Sequence, residues 1–260
     1  KIFIAHGDRT NRKKARLVYL IEKWGIPKFL DETQNQLSFP LIFATAEKYP
    51  ANVNKLPHGH VGVFKQRGAA MNYVGVAVPV GRLTGAQLSG LAALADEYGQ
   101  NELRLTVWQN VLLPHIGDKD LPRLTKGLSA LNLSHQSSAI AGGVVACTGN
   151  TGCKYAGANT KDTALAAIAH LRNRIALDRP VNIHFTGCAH SCAQHYAGDI
   201  GLMGVPISGG EGFNITLGGG MDQAQGIGRE VFWKVPREEV PARIEKIFLA
   251  YQAKRAGGES

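Results

Sequence analysis

Four cysteines carry the clearest chemical signal in the chain: Cys147, Cys153, Cys188 and Cys192, with five residues inside the first pair, thirty-four between the pairs and three inside the second. On a helix Cys188 and Cys192 would be four apart and face the same way, whereas Cys147 and Cys153 cannot project from one helical face. The first pair therefore needs a loop that wraps something, and "TGNTG" between them supplies the small residues for it. Structural zinc sites draw their ligands from CxxC-like knuckles, and neither spacing fits one. A thioredoxin-type pair needs C-x-x-C, which is absent. Four thiolates from two strand-to-helix corners suit an iron-sulfur cube, whose four irons each need one ligand. Gly149, Gly152 and Gly187 beside the pairs let the backbone approach closely and donate N–H to sulfur. On spacing alone, a zinc site and four unrelated buried thiols stay open.

The elements around these residues fall into stretches. Residues 1 to about 32 read as a strand, "KIFIAH", and then a helix closed by "WGIPKFL". Residues 33 to about 60, with Pro40, Pro50 and Pro57, read as an irregular connection. From Asn72, "NYVGVAVPVG" is β-rich, Thr84 opens a helix whose Gln87 completes a capping box, and Gly99 stops it. The alternation in "NELRLTVWQNVLL" predicts a strand with Leu103, Leu105 and Val107 on a core face and Arg104, Thr106 and Trp108 opposite. An amphipathic helix over 121–131 follows. Beyond Ser134 come "GGVVACTGNTGC", an Ala-rich helix predicted over Tyr155–Leu177, the strand "VNIHFTG", "DIGLMGVPI", a Gly-rich turn region at "SGGEGFNITLGGG", a strand around "VFWKV" and a helix from about Glu238 to Lys254. The glycines do not make a phosphate loop, because neither GxxxxGK[ST] nor a strand, GxGxxG, helix order is present.

The 260 residues, 44% of them hydrophobic, suffice for one large domain or two ordinary ones. Four cysteines are too few for a disulfide scaffold. No apolar run reaches the roughly 20 residues of a membrane-spanning helix, and the first residues lack a signal peptide's pattern, so no membrane partner and a cytoplasmic location are expected. The chain opens without Met on a run that passes straight into a helical pattern, and a piece of a longer protein is expected. The net charge of +9 favours an acidic protein or a small anion as partner. Arg9, Arg12, Lys13, Lys14 and Arg16 form the densest basic cluster, read as a solvated helix face or a docking patch. Nucleic acid is not expected, as no signature of a binding module occurs.

"ACTGNTGCKYAGANTK" followed by "IHFTGCAHSCAQHYAGDIGLMG" closely resembles the signature of the ferredoxin-dependent nitrite and sulfite reductases, and "HGHVGVF", "VPVGRLT" and "RLTVWQN" extend the likeness over about residues 1–250. The resemblance implies an α+β chain: the tail of a preceding N-terminal half and a linker at 1–59, a ferredoxin-like half module at 60–135, and an α/β sirohaem and 4Fe-4S binding domain at 136–260. It implies that Cys147, Cys153, Cys188 and Cys192 hold a 4Fe-4S cluster and that Cys192 is also the axial ligand of the sirohaem iron. Arg104, Gln109 and Asn110 become candidates for the sirohaem carboxylates, or else ordinary polar residues at a strand end. Strand alternation separates Gln109 from the other two unless the strand ends or bulges near Trp108. The residues that clamp the small oxyanion come largely from the first half and lie outside this chain. One departure stands out: "CAHSC", with Ala189 and His190, replaces the family's "CPNSC" or "CPNGC". His190 could still donate a hydrogen bond to sirohaem from a ring nitrogen. His58 and His60 read as turn and core histidines.

"CTGNTGC…TK" looks more like the assimilatory nitrite branch than the sulfite branch. The implied activity is the six-electron reduction of nitrite to ammonium with ferredoxin as donor. Sulfite reduction to sulfide, a cluster protein of cobalamin synthesis, and a non-catalytic iron-sulfur electron carrier or scaffold are the rivals.

Overall fold

The fold is described from a computed structural model for residues 1–11, 15–43, 60–68, 70–220 and 226–255. His58 and Arg12, Lys13 and Lys14 of the basic cluster lie outside the described residues. The chain divides into two compact units, residues 1–51 and 52–260.

In the first unit three helices are described: α1 (Ile2–His6), α2 (Leu17–Trp24) and α3 (Ile26–Asn35). The strand expected at "KIFIAH" is a helical turn. Among the described residues of this unit no strand edge exists to pair with it, and a lone strand leaves its backbone groups unpaired. The helix closes them locally, with the Ala5 N–H on the Lys1 carbonyl and the Gly7 N–H on that of Phe3, both at 3.0 Å. "WGIPKFL" does not end a helix but joins two. Gly25, left-handed at φ 77, breaks α2, and Pro27 sits in the first turn of α3, where its missing N–H costs nothing.

In the second unit, β1 (Gly62–Lys65), β2 (Asn72–Val76), β3 (Arg104–Leu105) and β4 (Val111–Ile116) form an antiparallel sheet in the order β1-β2-β4-β3. Helices α4 (Gly85–Tyr98) and α5 (Leu121–Ala130) cover it, and Val74, Val76, Leu91, Leu113, Ile116, Leu124 and Leu128 make its core. The capping box of Thr84 and Gln87 is present and Gly99 ends α4. The single strand expected over 101–113 is instead a hairpin. The Thr106 N–H bonds the Asn110 carbonyl (3.0 Å), the Gln109 N–H bonds that of Thr106 (3.1 Å), and Gln109 takes a left-handed φ of 64. Leu105 and Val107, expected in the core, are 84% and 91% exposed. Leu105 pairs opposite the buried Val111 but lies on a two-residue edge strand, beyond the cover of the helices.

The rest of the unit is a five-stranded mixed sheet: β5 (Val144–Ala146), β6 (Ile183–Thr186), β7 (Ile200–Ile207), β8 (Gly210–Leu217) and β9 (Arg229–Pro236), in that order. β5, β6 and β7 run parallel, and β8 and β9 continue antiparallel. Phe185, Leu202, Phe213 and Ile215 from the sheet share one core with Ala164, Ala167 and Leu171 of α6 (Thr160–Leu171) and Ile244 and Phe248 of α7 (Val240–Lys254). The Gly-rich region expected to be turn is mostly β8, since Phe213 and Ile215 supply the alternating core face, and the turn shrinks to Ser208 and Gly209. α6 starts at Thr160 and not at Tyr155, because the backbone of 153–158 is used in a loop and Asn159 caps the helix by accepting from the Asp162 N–H (3.1 Å).

One residue threads between these two sheets. Val80, from the segment after β2, is buried in the core of the five-stranded sheet with a left-handed backbone, φ 49 and ψ 25. Lys161 Nζ donates to its carbonyl, and Arg82 pairs with Asp162 on the same helix.

Candidate metal centre

The two cysteine loops leave neighbouring parallel strands at the same end. Ala146 pairs with Phe185 in the β5–β6 ladder, so the next residues, Cys147 on one side and Gly187 and Cys188 on the other, emerge side by side. The crevice outside the carboxyl ends of parallel strands is where such sheets place ligands. The Cys147 N–H bonds the Phe185 carbonyl (3.0 Å), and the Gly187 N–H donates to Cys147 Sγ (3.1 Å). The Gly157 N–H closes the corner on the Gly187 carbonyl at 2.6 Å. Only glycine fits at 187, since a Cβ there would stand 2.5 Å from Ala156 Cβ and 3.5 Å from Cys147 Sγ.

The first loop wraps as its glycines suggest. Gly149 is left-handed (φ 68), the Cys153 N–H returns to its carbonyl (2.9 Å), and Thr160 Oγ1 donates to the Cys147 carbonyl (2.6 Å). A side chain from β8 ties this loop down: Glu211 accepts from Asn150 Nδ2 (2.5 Å) and the Asn159 N–H (2.9 Å), with Arg237 at 3.4 Å. Partial burial raises the Glu211 carboxyl pKa, but these donors and the Arg237 charge outweigh it and hold the carboxyl below its ordinary range.

The second pair is not helical. The Ser191 N–H bonds the Cys188 carbonyl (3.1 Å) and the Gln194 N–H that of Ser191 (2.8 Å), giving two turns with Ser191 and Gln194 both left-handed at φ 55. The side chains of Ser191 and His195 share a hydrogen bond of 2.8 Å. No α-helix follows this corner, which leads through a short 3-10 turn into β7.

All four cysteines are free thiols; Cys147, Cys153 and Cys188 are half-buried and Cys192 is exposed. Lost hydration pushes the Cys192 thiol up from its ordinary value, and the charges of Cys147, Cys188 and Cys153 push it further, so the four share one electrostatic neighbourhood. Yet among the described residues no three His, Cys, Asp or Glu side chains close on a single metal ion. A backbone N–H aimed at a cysteine sulfur, at the corner of two cysteine loops, suits the sulfur ligands of an iron-sulfur cluster.

The other candidates go to different places. Arg104 is exposed on β3 and bonds Glu102 (2.5 Å), which also meets His115 (3.1 Å). With His60, Gln66, Tyr73, Leu112 and Pro114 it lines a small pocket of about 200 Å³. Asn110 is buried, with its Oδ1 accepting from the Val78 N–H (2.9 Å). Gln109 reaches the other sheet and bonds both backbone groups of Ala146, the residue before Cys147. The turn at 107–109 thus separates these residues in direction. His190 packs its ring against Tyr155 (5.3 Å between centroids), bridging the two cysteine loops. His60 contacts the Tyr73 hydroxyl through Nδ1 (3.0 Å), as a half-buried structural histidine.

Sequence reasoning overlooked Tyr155, Glu211 and His184. No local pattern marks Tyr155 or Glu211, whose partners lie 26 to 61 residues away. His184 is buried in β6 with Nδ1 on the Gln194 carbonyl (3.1 Å) and the Trp108 ring edge-on to it, and its Nε2 has no partner. Its β-rich setting read only as a strand.

Residues 64–131 match the family model described as the nitrite/sulfite reductase ferredoxin-like half domain, and residues 1–41 and 141–259 match the nitrite and sulphite reductase 4Fe-4S domain. The chain is 39% identical to a ferredoxin–nitrite reductase of Synechococcus elongatus over 96% of its own length and 49% of that protein. It is 36% identical to a ferredoxin sulfite reductase of Mycolicibacterium paratuberculosis over 99% of its length and 48% of that protein. Among solved structures it resembles the Mycobacterium tuberculosis NirA protein, with a TM-score of 0.83 and 35% identity over 97% of this chain and 47% of that one. The chain therefore spans about half the length of the relatives it matches. On the matched domains and the four-thiol corner together, it belongs to the nitrite and sulphite reductase family, whose cofactors are a 4Fe-4S cluster and sirohaem.

Proposed function

We propose that this chain forms the cluster-bearing half of a ferredoxin-dependent nitrite reductase, with the cytoplasm as its setting. The observation that carries the reading is that the two cysteine loops leave neighbouring parallel strands at the same end, with the Gly187 N–H of one on the Cys147 sulfur of the other. In this reading Cys147, Cys153, Cys188 and Cys192 would each hold one iron of the cluster, and Cys192, the exposed thiol, would also hold the sirohaem. When bound, the coupled pair of cofactors supplies electrons one at a time to an oxyanion that needs six electrons and eight protons to become ammonium and two waters.

The chain's own residues set the cage. The Gly187 N–H stabilises charge on the Cys147 sulfur, Glu211 and Thr160 fix the first loop, and the turns at Ser191 and Gln194 aim the second pair. The net charge of +9 suits both an acidic ferredoxin and an anionic substrate. The anion clamp and the rest of the sirohaem pocket are assigned to the N-terminal half.

Nitrite is preferred to sulfite because the relative at 39% identity is named a nitrite reductase, but a sulfite reductase at 36% covers the chain as fully and keeps sulfite as the second reading. The test is the full-length protein from cells able to make sirohaem, reduced with viologen and offered each anion. Ammonium from nitrite at a rate well above sulfide from sulfite is expected. Dominant sulfide production reverses the assignment, and zinc in place of iron, or iron without a haem Soret band, overturns the reading altogether.

A further inference from the structure

Gln109 ends the turn between β3 and β4, yet its side chain works on the other sheet. Nε2 donates to the Ala146 carbonyl (2.8 Å), and Oε1 accepts from the Ala146 N–H (3.2 Å). β5 is an edge strand, and successive residues of a strand point their backbone groups to alternate sides. The Cys147 N–H turns inward to Phe185, so the N–H and carbonyl of Ala146 turn outward, where no strand meets them. Ala146 is fully buried, and its backbone groups have no water to fall back on. The Gln109 amide supplies the donor and the acceptor that a sixth strand would have offered.

The placement is built from several sides. Gly81, left-handed at φ 66, lies so close that a Cβ on it would stand 2.9 Å from Gln109 Cβ. Val80 beside it is held by Lys161, from the helix that follows the first cysteine loop.

We infer that Gln109 is a positioning residue for the first cluster ligand: it clamps Ala146 from outside while Phe185 holds Cys147 from inside, and so links the ferredoxin-like sheet to the cluster cage. The inference rests on the reading of Cys147 as a cluster ligand, and it gives the Gln109 amide a task other than binding sirohaem carboxylates.

The test uses the full-length, anaerobically purified holoprotein and follows cluster absorbance while an iron chelator competes for the metal. If the unaltered protein shows no cluster absorbance, the reading of the cysteines fails, and that is told apart from failure here. Gln109→Met keeps the length and removes both bonds. Cluster loss about tenfold faster, with the Soret maximum in place, is expected, in line with what outer partners of metal ligands contribute. Gln109→Glu adds a readout that packing alone would not move. A protonated carboxyl repeats the amide's donor and acceptor, whereas a carboxylate sets an oxygen against the Ala146 carbonyl. Its cluster should be labile at about pH 8 and return toward the parent's rate near pH 6, the pKa being raised by that oxygen. Unchanged cluster loss in Gln109→Met, or a shifted Soret band with a normal cluster, overturns the inference. So does a Gln109→Glu cluster whose lability ignores pH, and this variant decides alone if Gln109→Met does not accumulate.

Discussion

The Gly187 N–H lies 3.1 Å from the Cys147 sulfur, and this bond crosses between the ends of two parallel strands. It joins the backbone of the second cysteine loop to a sulfur of the first, beside the Gly157 N–H that closes on the Gly187 carbonyl at 2.6 Å. An N–H directed at a thiolate lowers the cost of gathering negative sulfur in one place, and at a cluster it tunes the potential.

Gly187→Ala tests that link. The new methyl would stand 2.5 Å from Ala156 Cβ and 3.3 Å from its Cα, neither of which is the end of a flexible side chain. The strands must part or the loop must shift, costing about 1–3 kcal/mol, and the N–H to sulfur bond should lengthen. Thermal unfolding and iron content of the full-length protein measure both effects. Gly85→Ala, in the first turn of α4 with open space around it, is the control and should change stability by less than about 0.5 kcal/mol.

Glu211→Gln should loosen the first loop from a distance. The carboxylate gathers Asn150, the Asn159 N–H and Arg237, and replacing its charge should cost about 1 kcal/mol at neutral pH, a modest figure because the site is partly solvated. A carboxyl held below its ordinary value of 4.5 stabilises the fold fully above that pH and loses the contribution as pH falls through the lower folded value. Stability curves of parent and variant should therefore separate above about pH 4.5 and approach each other in acid. A constant gap at all pH values would assign the effect to packing.

Much of this was legible in the sequence, for a local reason. A capping box, a glycine stop or a wrapped cysteine loop is decided within a few residues, so Thr84 with Gln87, Gly99 and the "TGNTG" loop could be read directly. Pairing is not local. The run at 101–113 alternates like one strand, but β4 must pair with β2, and the chain doubles back at Thr106 to reach it. "KIFIAH" has strand-forming residues but no described partner strand in its unit. Gln109 could be picked out as a polar residue near a cofactor, while its partner Ala146, 37 residues later, could not.

Acid should weaken the fold before the carboxylates titrate. Burial pushes the His184 imidazole below its ordinary value of 6.5, against smaller raising effects from the Gln194 carbonyl and Asp199. The unfolded chain then takes up this proton first, so stability is complete above pH 6.5 and declines as pH falls from there toward the folded value. The slope from one such group is at most about 1.4 kcal/mol per pH unit. His195, also lowered chiefly by burial, adds in the same direction. His184→Gln keeps a donor for the Gln194 carbonyl but cannot titrate. Thermal unfolding between about pH 8 and 5 should show a shallower decline in the variant, and an equal slope would remove His184 as the cause.

Serine substitutions at two of the thiols separate their tasks. Both replace a soft thiolate with a poor ligand for iron, so any difference between them reports position. In the proposed arrangement Cys147, half-buried and bonded by the Gly187 N–H, holds the cluster alone, whereas the exposed Cys192 holds both the cluster and the sirohaem iron. In Cys147→Ser the cluster absorbance should decline first, with haem lost afterwards as the cage opens. In Cys192→Ser the cluster and Soret signals should disappear together, since the proposed arrangement hangs both cofactors on that one sulfur. Spectra and iron content of the full-length variants, each purified from cells able to make sirohaem, read this order. Normal sirohaem retained in Cys192→Ser would rule out the shared sulfur and leave Cys192 as a cluster ligand alone.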